Sequence, residues 1–340
     1  MPFTNQITKV ENHMIDDIDF CIKLEKFLHD YGIKAYKLLK IDIDASKRHY
    51  YRIITLEKSY ILMDSSQEPE SVTPFLNVAN LLIKHEIKAP AVYAENLEQG
   101  LLLLEDLGND SFTKFIDNNS EQEQHLYSHA IDVLIKITKA EVDISLPLQD
   151  EKLLNAGVLV FNEFYIHHKL EPKAAINASK EILNIFSELY KLLKNYKLVL
   201  TLRDYHADNL MWIKHNNNTH KVGVLDFQDA VLGLPGYDLV SLLEDARRDV
   251  SPKVVEACKA QYFSSFQNMK HSDLELIYAV LGAQRNLRIV GAFHRLNVKY
   301  NKYKYLKYLP RVWQHIKNNL KHPTLEPLKE IFEKYKLYEF

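Results

Sequence analysis

The chain has 340 residues, of which 46% are hydrophobic and 26% charged, enough for one large or two modest domains with a real buried core. Its 43 basic and 45 acidic residues give a formal net charge of -2, which excludes a broad electrostatic pull toward nucleic acid or an anionic membrane. Its two cysteines, Cys21 and Cys258, form no CxxC pattern, which argues against a disulfide framework or a structural zinc site and for buried or half-buried thiols in a reducing compartment.

At the N-terminus, Met1 to Phe20 mixes polar and acidic residues and lacks the basic region and apolar stretch of a signal peptide. No apolar run approaches the ~18 to 20 residues that a membrane span needs, so the expected location is the cytoplasm. Ile15 to Tyr31 carries a helical stripe through Ile18, Cys21, Ile22, Leu24 and Leu28. Runs rich in β-branched and aromatic residues follow: Ala35 to Ile41, Tyr50 to Leu56 and Tyr60 to Met63. Lys58-Ser59 forms a tight connection between the last two. Pro74 opens a helix with Phe75, Val78, Ala79, Leu82 and Ile83 on one face, and two further strands are expected at Ala91 to Ala94 and Leu101 to Glu105.

After Gly108 the pattern turns helical: Glu121 to Lys139, Leu153 to His168, Ala175 to Tyr196 and Leu274 to Leu296. Short β segments interrupt it at Leu198 to Leu202 and Lys221 to Phe227, and the polar run His215 to His220 reads as a hairpin tip. The fold class is α+β: a small β-rich N-terminal lobe, residues 1–105, and a larger, mostly helical lobe, residues 106–340.

The chemistry concentrates in Leu202-Arg-Asp-Tyr-His-Ala-Asp-Asn209, which has the R-D-x-x-x-x-N spacing of kinase catalytic loops. Phosphoryl transfer needs a carboxylate beside the attacking hydroxyl and an oxygen ligand for Mg²⁺ on the same loop. Asp204 suits the first role and Asn209 the second. Farther along, Val222-Gly-Val-Leu-Asp-Phe-Gln228 places a carboxylate at a strand end, like the metal-binding D-F-G element with Gln228 in place of the glycine. Asp226 is then a second metal ligand, and a hairpin between the two motifs would bring Asn209 and Asp226 together.

The runs Arg203 to Met211, Gly223 to Ala230 and Tyr237 to Arg248 resemble the aminoglycoside phosphotransferase and choline kinase superfamily, and most of all its bacterial anomeric amino-sugar kinases of cell-wall recycling. The resemblance implies a protein-kinase-like bilobal fold, ATP and Mg²⁺ as cofactors, and phosphorylation of the C1 hydroxyl of N-acetylmuramate or N-acetylglucosamine. It implies Asp204 as base, Asn209 and Asp226 as metal ligands, and Asp238 as an anchor beneath the catalytic loop. His206 resembles a loop histidine that either touches substrate or braces the loop. Glu105 to Leu107 would be the hinge whose backbone groups, at Glu105 and Leu107, bond adenine. Another hydroxyl acceptor, such as an aminoglycoside or a choline-like amino alcohol, and a non-catalytic nucleotide-binding protein are the alternatives.

Three departures from the family stand out. Leu202 replaces a histidine common before the catalytic aspartate. The loop Asp44 to Tyr51 has no glycine, so Ser46, Lys47 and Arg48 must meet the phosphates with side chains and amides. The strand Ile61-Leu-Met-Asp64 lacks a phosphate-binding lysine, and Lys47 and Arg48 are the candidates to replace it. For the acceptor, Glu163 and Tyr165 resemble residues that relatives place near the sugar; Arg247 or Arg248 could bind a lactyl carboxylate or form an ion pair on a helix surface. Arg288 either enters the pocket or makes a structural salt bridge.

Overall fold

The computed structural model describes residues 18–41, 48–214 and 220–338, and the chain divides into two compact units, Met1–Asn109 with Ile213–Asp229, and Asp110–Trp212 with Ala230–Phe340.

The first unit begins with helix α1 (Ile18–Asp30), followed by β1 (Lys37–Ile41), β2 (His49–Ile54) and β3 (Ser59–Asp64). Helix α2 (Val72–Lys84), β4 (Val92–Asn96) and β5 (Leu101–Glu105) come next. The strands form one antiparallel sheet in the order β1-β2-β3-β5-β4. Side chains alternate across a strand, so Tyr51 and Ile53 of β2, Leu62 of β3, and Leu101 and Leu103 of β5 pack with Leu24, Phe27 and Leu28 of α1. Leu102 and Leu104 point the other way and are buried as well, so β5 is covered on both faces. The turn from β2 to β3 occupies Thr55 to Lys58, closed by the Thr55 N–H on the Lys58 carbonyl at 3.0 Å, and Ser59 already belongs to the strand.

Helix α2 starts at Val72, which puts Pro74 in the first turn, where no amide bond is lost. Its buried face carries Phe75, Val78, Ala79 and Leu82. Ile83, expected on that face, is 46% exposed: at 100° per residue it sits a quarter-turn beyond Leu82.

The second unit contains α3 (Phe112–Asn118), α4 (Glu123–Lys139), α5 (Glu151–Phe161), α6 (His167–Lys169) and α7 (Pro172–Leu193). After β6 (Val199–Thr201), the chain enters the hairpin of β7 (Leu210–Lys214) and β8 (His220–Val224), whose residues from Ile213 on belong to the first unit. The tip between them, residues 215–219, lies outside the described residues. Strand β9 (Val231–Gly233) then pairs antiparallel with β6. Four longer helices complete the unit after the short α8 (Tyr237–Leu243): α9 (Pro252–Ser264), α10 (His271–Tyr300), α11 (Leu309–Asn319) and α12 (Glu326–Lys334). The expected helix Leu153 to His168 is α5, a π-helical turn at Asn162–Ile166 and α6 in succession.

Helix α10 is the axis of this unit and packs on α5, α8 and α11. Gly291 makes the α5 contact possible, since an added Cβ there would lie 2.5 Å from the main chain of Val160 and Phe161. Among the described residues, no helix is long and apolar enough to cross a membrane.

Candidate active site

Strand β6 delivers the chain into the loop 202–209, and Asp238 holds the start of that loop. The N–H groups of Leu202 and Arg203 donate to the two Asp238 carboxylate oxygens at 2.7 and 2.8 Å. Asp238 lies in the first turn of α8, where a carboxylate also suits the helix dipole. Burial pushes its carboxyl up to about 7, with the two amide bonds acting in the opposite direction. Arg203 adopts a left-handed backbone with φ +76, a conformation that a non-glycine residue keeps only where its surroundings fix it. Leu202 is a buried apolar side chain, and its main-chain N–H serves Asp238 without need of a histidine.

The rest of the loop is fastened from several sides. The Tyr205 hydroxyl donates to the Ala130 carbonyl of α4 at 2.7 Å. The Asp204 carbonyl accepts from the Asn209 side-chain amide at 2.9 Å and from the His206 N–H at 3.1 Å. Asp204 and Asn209 are thus brought together, with the Asn209 amide nitrogen committed to the loop. His206 is buried, 3.3 Å from the Asn209 amide nitrogen and 3.5 Å from a guanidinium nitrogen of Arg247. Burial, more than any neighbouring charge, holds its imidazole below the usual histidine value and therefore neutral at pH 7.

Beneath the loop lies a polar network that the sequence did not reveal. Ser241 Oγ reaches the Arg203 carbonyl at 3.4 Å and accepts from Arg285 at 2.9 Å. Arg285 also donates to the Glu244 carbonyl, and burial lowers its pKa. The Glu244 carboxylate accepts the side-chain amides of Asn286 at 2.6 Å and Asn319 at 2.9 Å. The signal in the sequence was Gln284-Arg285-Asn286, three polar residues in an apolar helix, which marks a satisfied internal network.

The expected acceptor residues separate. Arg247 lies against the loop, 3.7 Å from Asp208 as well as near His206. Arg248 instead ties to α3 through Asp117 at 2.9 Å and the Thr113 carbonyl at 3.5 Å. Glu163 is exposed and pairs with Lys299 at 3.7 Å. Tyr165 corrects its expectation: it is only 2% exposed, stacked on Phe161, and its hydroxyl donates to the Leu337 carbonyl. Its polar atom is therefore spent inside the fold rather than offered to a sugar.

In the first unit, Asp226 follows β8 with φ +57, and the Gln228 side-chain amide donates to its carboxylate at 2.9 Å and to Asp229 at 3.5 Å. Phe227 packs on Phe75 of α2, with ring centroids 4.9 Å apart. Where the kinase element has glycine, Gln228 thus supplies a side chain that steadies the carboxylate. Burial pushes the Tyr50 hydroxyl up to about 12, with Arg48 opposing and Asp226 adding, so Arg48, Tyr50 and Asp226 share one electrostatic neighbourhood. Ser46 and Lys47 lie outside the described residues.

Arg52 is a structural clamp. It pairs with Asp106 at 2.7 Å and donates to Asn109 at 2.6 Å and to the Gly108 carbonyl at 2.9 Å, fixing the stretch after β5. The Glu105 carboxylate pairs with Lys88 at 2.6 Å, and its N–H donates to the Ala91 carbonyl at 2.8 Å. Any adenine contact by the Glu105 main chain is therefore limited to its carbonyl; Leu107 is half-buried just beyond. Asp64, at the place of the missing lysine, is buried and accepts the Ser66 N–H at 2.9 Å.

Asn209, in the second unit, and Asp226, in the first, each carry a side-chain oxygen of the kind that a hard cation takes. Among the described residues no group of three or more His, Cys, Asp and Glu has a metal-binding arrangement.

Residues 37–272 match the phosphotransferase enzyme family, APH. The chain is 32% identical to an N-acetylmuramate/N-acetylglucosamine kinase of Caulobacter vibrioides, covering 91% of this chain and 94% of that protein. It is also 32% identical to a protein of the same description from Pseudomonas putida, with 88% of each covered. Among solved structures, the ADP-bound aminoglycoside phosphotransferase APH(2'')-Ib superposes with a TM-score of 0.63 at 14% identity, over 88% of this chain and 97% of that one. The fold is the protein-kinase-like one, with a small antiparallel sheet in one unit and a larger, mostly helical second unit.

Proposed function

The chain belongs to the phosphotransferase enzyme family, and from that premise we propose that it transfers the γ-phosphoryl group of ATP to the anomeric hydroxyl of N-acetylmuramate or N-acetylglucosamine, in the cytoplasm, as a step of cell-wall recycling. The relatives from Caulobacter vibrioides and Pseudomonas putida, both N-acetylmuramate/N-acetylglucosamine kinases, support the acceptor. The observation that carries the reaction type is the pinned loop, in which Asp238 fixes the two residues ahead of Asp204 and Asn209 is bonded back to Asp204.

Asp204 orients the sugar hydroxyl and takes its proton as the new O–P bond forms. Asn209 and Asp226 would hold Mg²⁺, which would supply charge neutralisation on the phosphates. Gln228 positions Asp226. Arg48, with Ser46 and Lys47, meets the phosphates in place of the absent strand lysine, and the Glu105 carbonyl with Leu107 holds adenine. In this reading residues 1–105 are the nucleotide lobe and residues 106–340 carry the catalytic loop and the acceptor site. His206 and Arg247 line the acceptor side of the loop.

A screen of ATP consumption across amino sugars, amino alcohols and aminoglycosides tests the proposal. Turnover confined to N-acetylated sugars supports it, and Asp204→Asn should lower kcat about 10²- to 10⁴-fold in a folded protein. Turnover with an amino alcohol or aminoglycoside instead would move the acceptor. Nucleotide binding without turnover on any of them would make the chain a regulatory protein.

A further inference from the structure

Arg285 and Arg288 lie one turn apart on α10, and their head groups have different surroundings. Arg285 is bonded to Ser241 and to the Glu244 carbonyl. Arg288 lays its stem across α5 at Gly157, where an added Cβ would meet its Cδ at 3.2 Å and its Cβ at 3.3 Å. A side chain at position 157 would thus displace this arginine. Beyond the stem, the guanidinium hydrogen-bonds Tyr237, and Asp204 lies within its electrostatic reach. Among the described residues no carboxylate forms an ion pair with Arg288.

A guanidinium stays charged, and a half-buried one bonded to a neutral hydroxyl keeps donors for an anion. The two arginines that the sequence offered for an anionic group each have a carboxylate already: Arg247 has Asp208 and Arg248 has Asp117. Arg288 has none, and Asp204 of the same loop lies within its electrostatic reach.

We propose that Arg288 is the acceptor-specificity residue, binding a carboxylate on the sugar while Asp204 receives its hydroxyl. This rests on the amino-sugar reading above and sharpens it. N-acetylmuramate carries a lactyl ether carboxylate that N-acetylglucosamine lacks, so the site favours the acidic sugar. A planar fork of donors is suited to a carboxylate, and Tyr237 fixes its rotation.

The test compares kcat/KM for the two sugars in the wild type, Arg288→Gln and Arg288→Lys, with the neutral methyl ester of N-acetylmuramate as a third acceptor. Arg288→Gln should lower the ratio of N-acetylmuramate to N-acetylglucosamine about 10- to 100-fold, chiefly through KM for the acid, the range for a lost charge-assisted contact. Arg288→Lys should restore part of the ratio, because it keeps the charge and loses the fork. In the wild type the ester should lose about 10-fold or more against the acid, a readout that needs no folded variant. An unchanged ratio, an equal loss on both sugars, or an ester as good as the acid would overturn the inference while leaving the amino-sugar kinase intact. A wild type that phosphorylates none of the three would overturn both.

Discussion

Asp238→Ala separates stability from activity. The substitution removes the acceptor of two main-chain donors, Leu202 at 2.7 Å and Arg203 at 2.8 Å. Leaving two enclosed N–H groups without partners costs ~2–6 kcal/mol. The same substitution also removes a carboxyl whose pKa rises from 3.8 to about 7, chiefly through burial. A raised carboxyl contributes stability that is complete below the unfolded value and lost as pH rises through the folded one; above that its ionised form opposes folding by roughly 4 kcal/mol. At about pH 8 the two effects nearly offset, and the net change should stay within ~2 kcal/mol in either direction. Activity has no such offset. Arg203 loses the bond that holds its φ of +76, a conformation costing about 1–3 kcal/mol, and the loop relaxes away. Misplacement of Asp204 by about 1 Å should reduce kcat about 10²-fold. Urea unfolding and steady-state rates on the same preparation measure both. A variant whose rate stays within about threefold of the wild type, at unchanged stability, would refute the role given to Asp238.

Other variants probe separate parts of the site. Tyr165→Phe orphans the Leu337 carbonyl and should cost about 1–3 kcal/mol in urea unfolding with KM for the sugar unmoved; a raised KM at unchanged stability would return Tyr165 to the acceptor site. Gln228→Ala removes the amide bond to Asp226 and should raise the Mg²⁺ concentration for half-maximal rate about 3- to 10-fold, with the rate recovered at saturating metal. Unchanged metal dependence would leave Gln228 as packing alone. His206 and His315 are both held below the ordinary histidine value by burial, so the stability they contribute is present above about pH 6.5 and lost as pH falls below it. The urea midpoint should drop across that range, less steeply in His206→Asn; identical slopes would show that His206 does not titrate with unfolding.

Most of the strands and long helices were legible because their signals are local. Runs rich in β-branched and aromatic residues marked β2 and β3, and the Asp204-to-Asn209 spacing predicted a loop that the structure closes with the Asn209 amide on the Asp204 carbonyl. What escaped depends on partners distant in sequence. Tyr165 meets a carbonyl 172 residues away, and Glu244 meets Asn286 and Asn319 at separations of 42 and 75. No periodicity encodes such pairs. Arg52 meets Asp106 and Asn109 at separations of 54 and 57. Strand β9 has three residues, too few for alternation to register. Gln228 was visible as a departure from D-F-G, but its function as a bridge from Asp226 to Asp229 needed coordinates.

The most direct test of the account is the product itself. Purified protein incubated with ATP, Mg²⁺ and N-acetylglucosamine should yield a sugar phosphate whose ³¹P signal couples to the anomeric proton, with the reducing end lost and Asp204→Asn nearly inactive. Phosphate on any other hydroxyl, or no sugar phosphate from a protein that binds Mg·ATP, would contradict it.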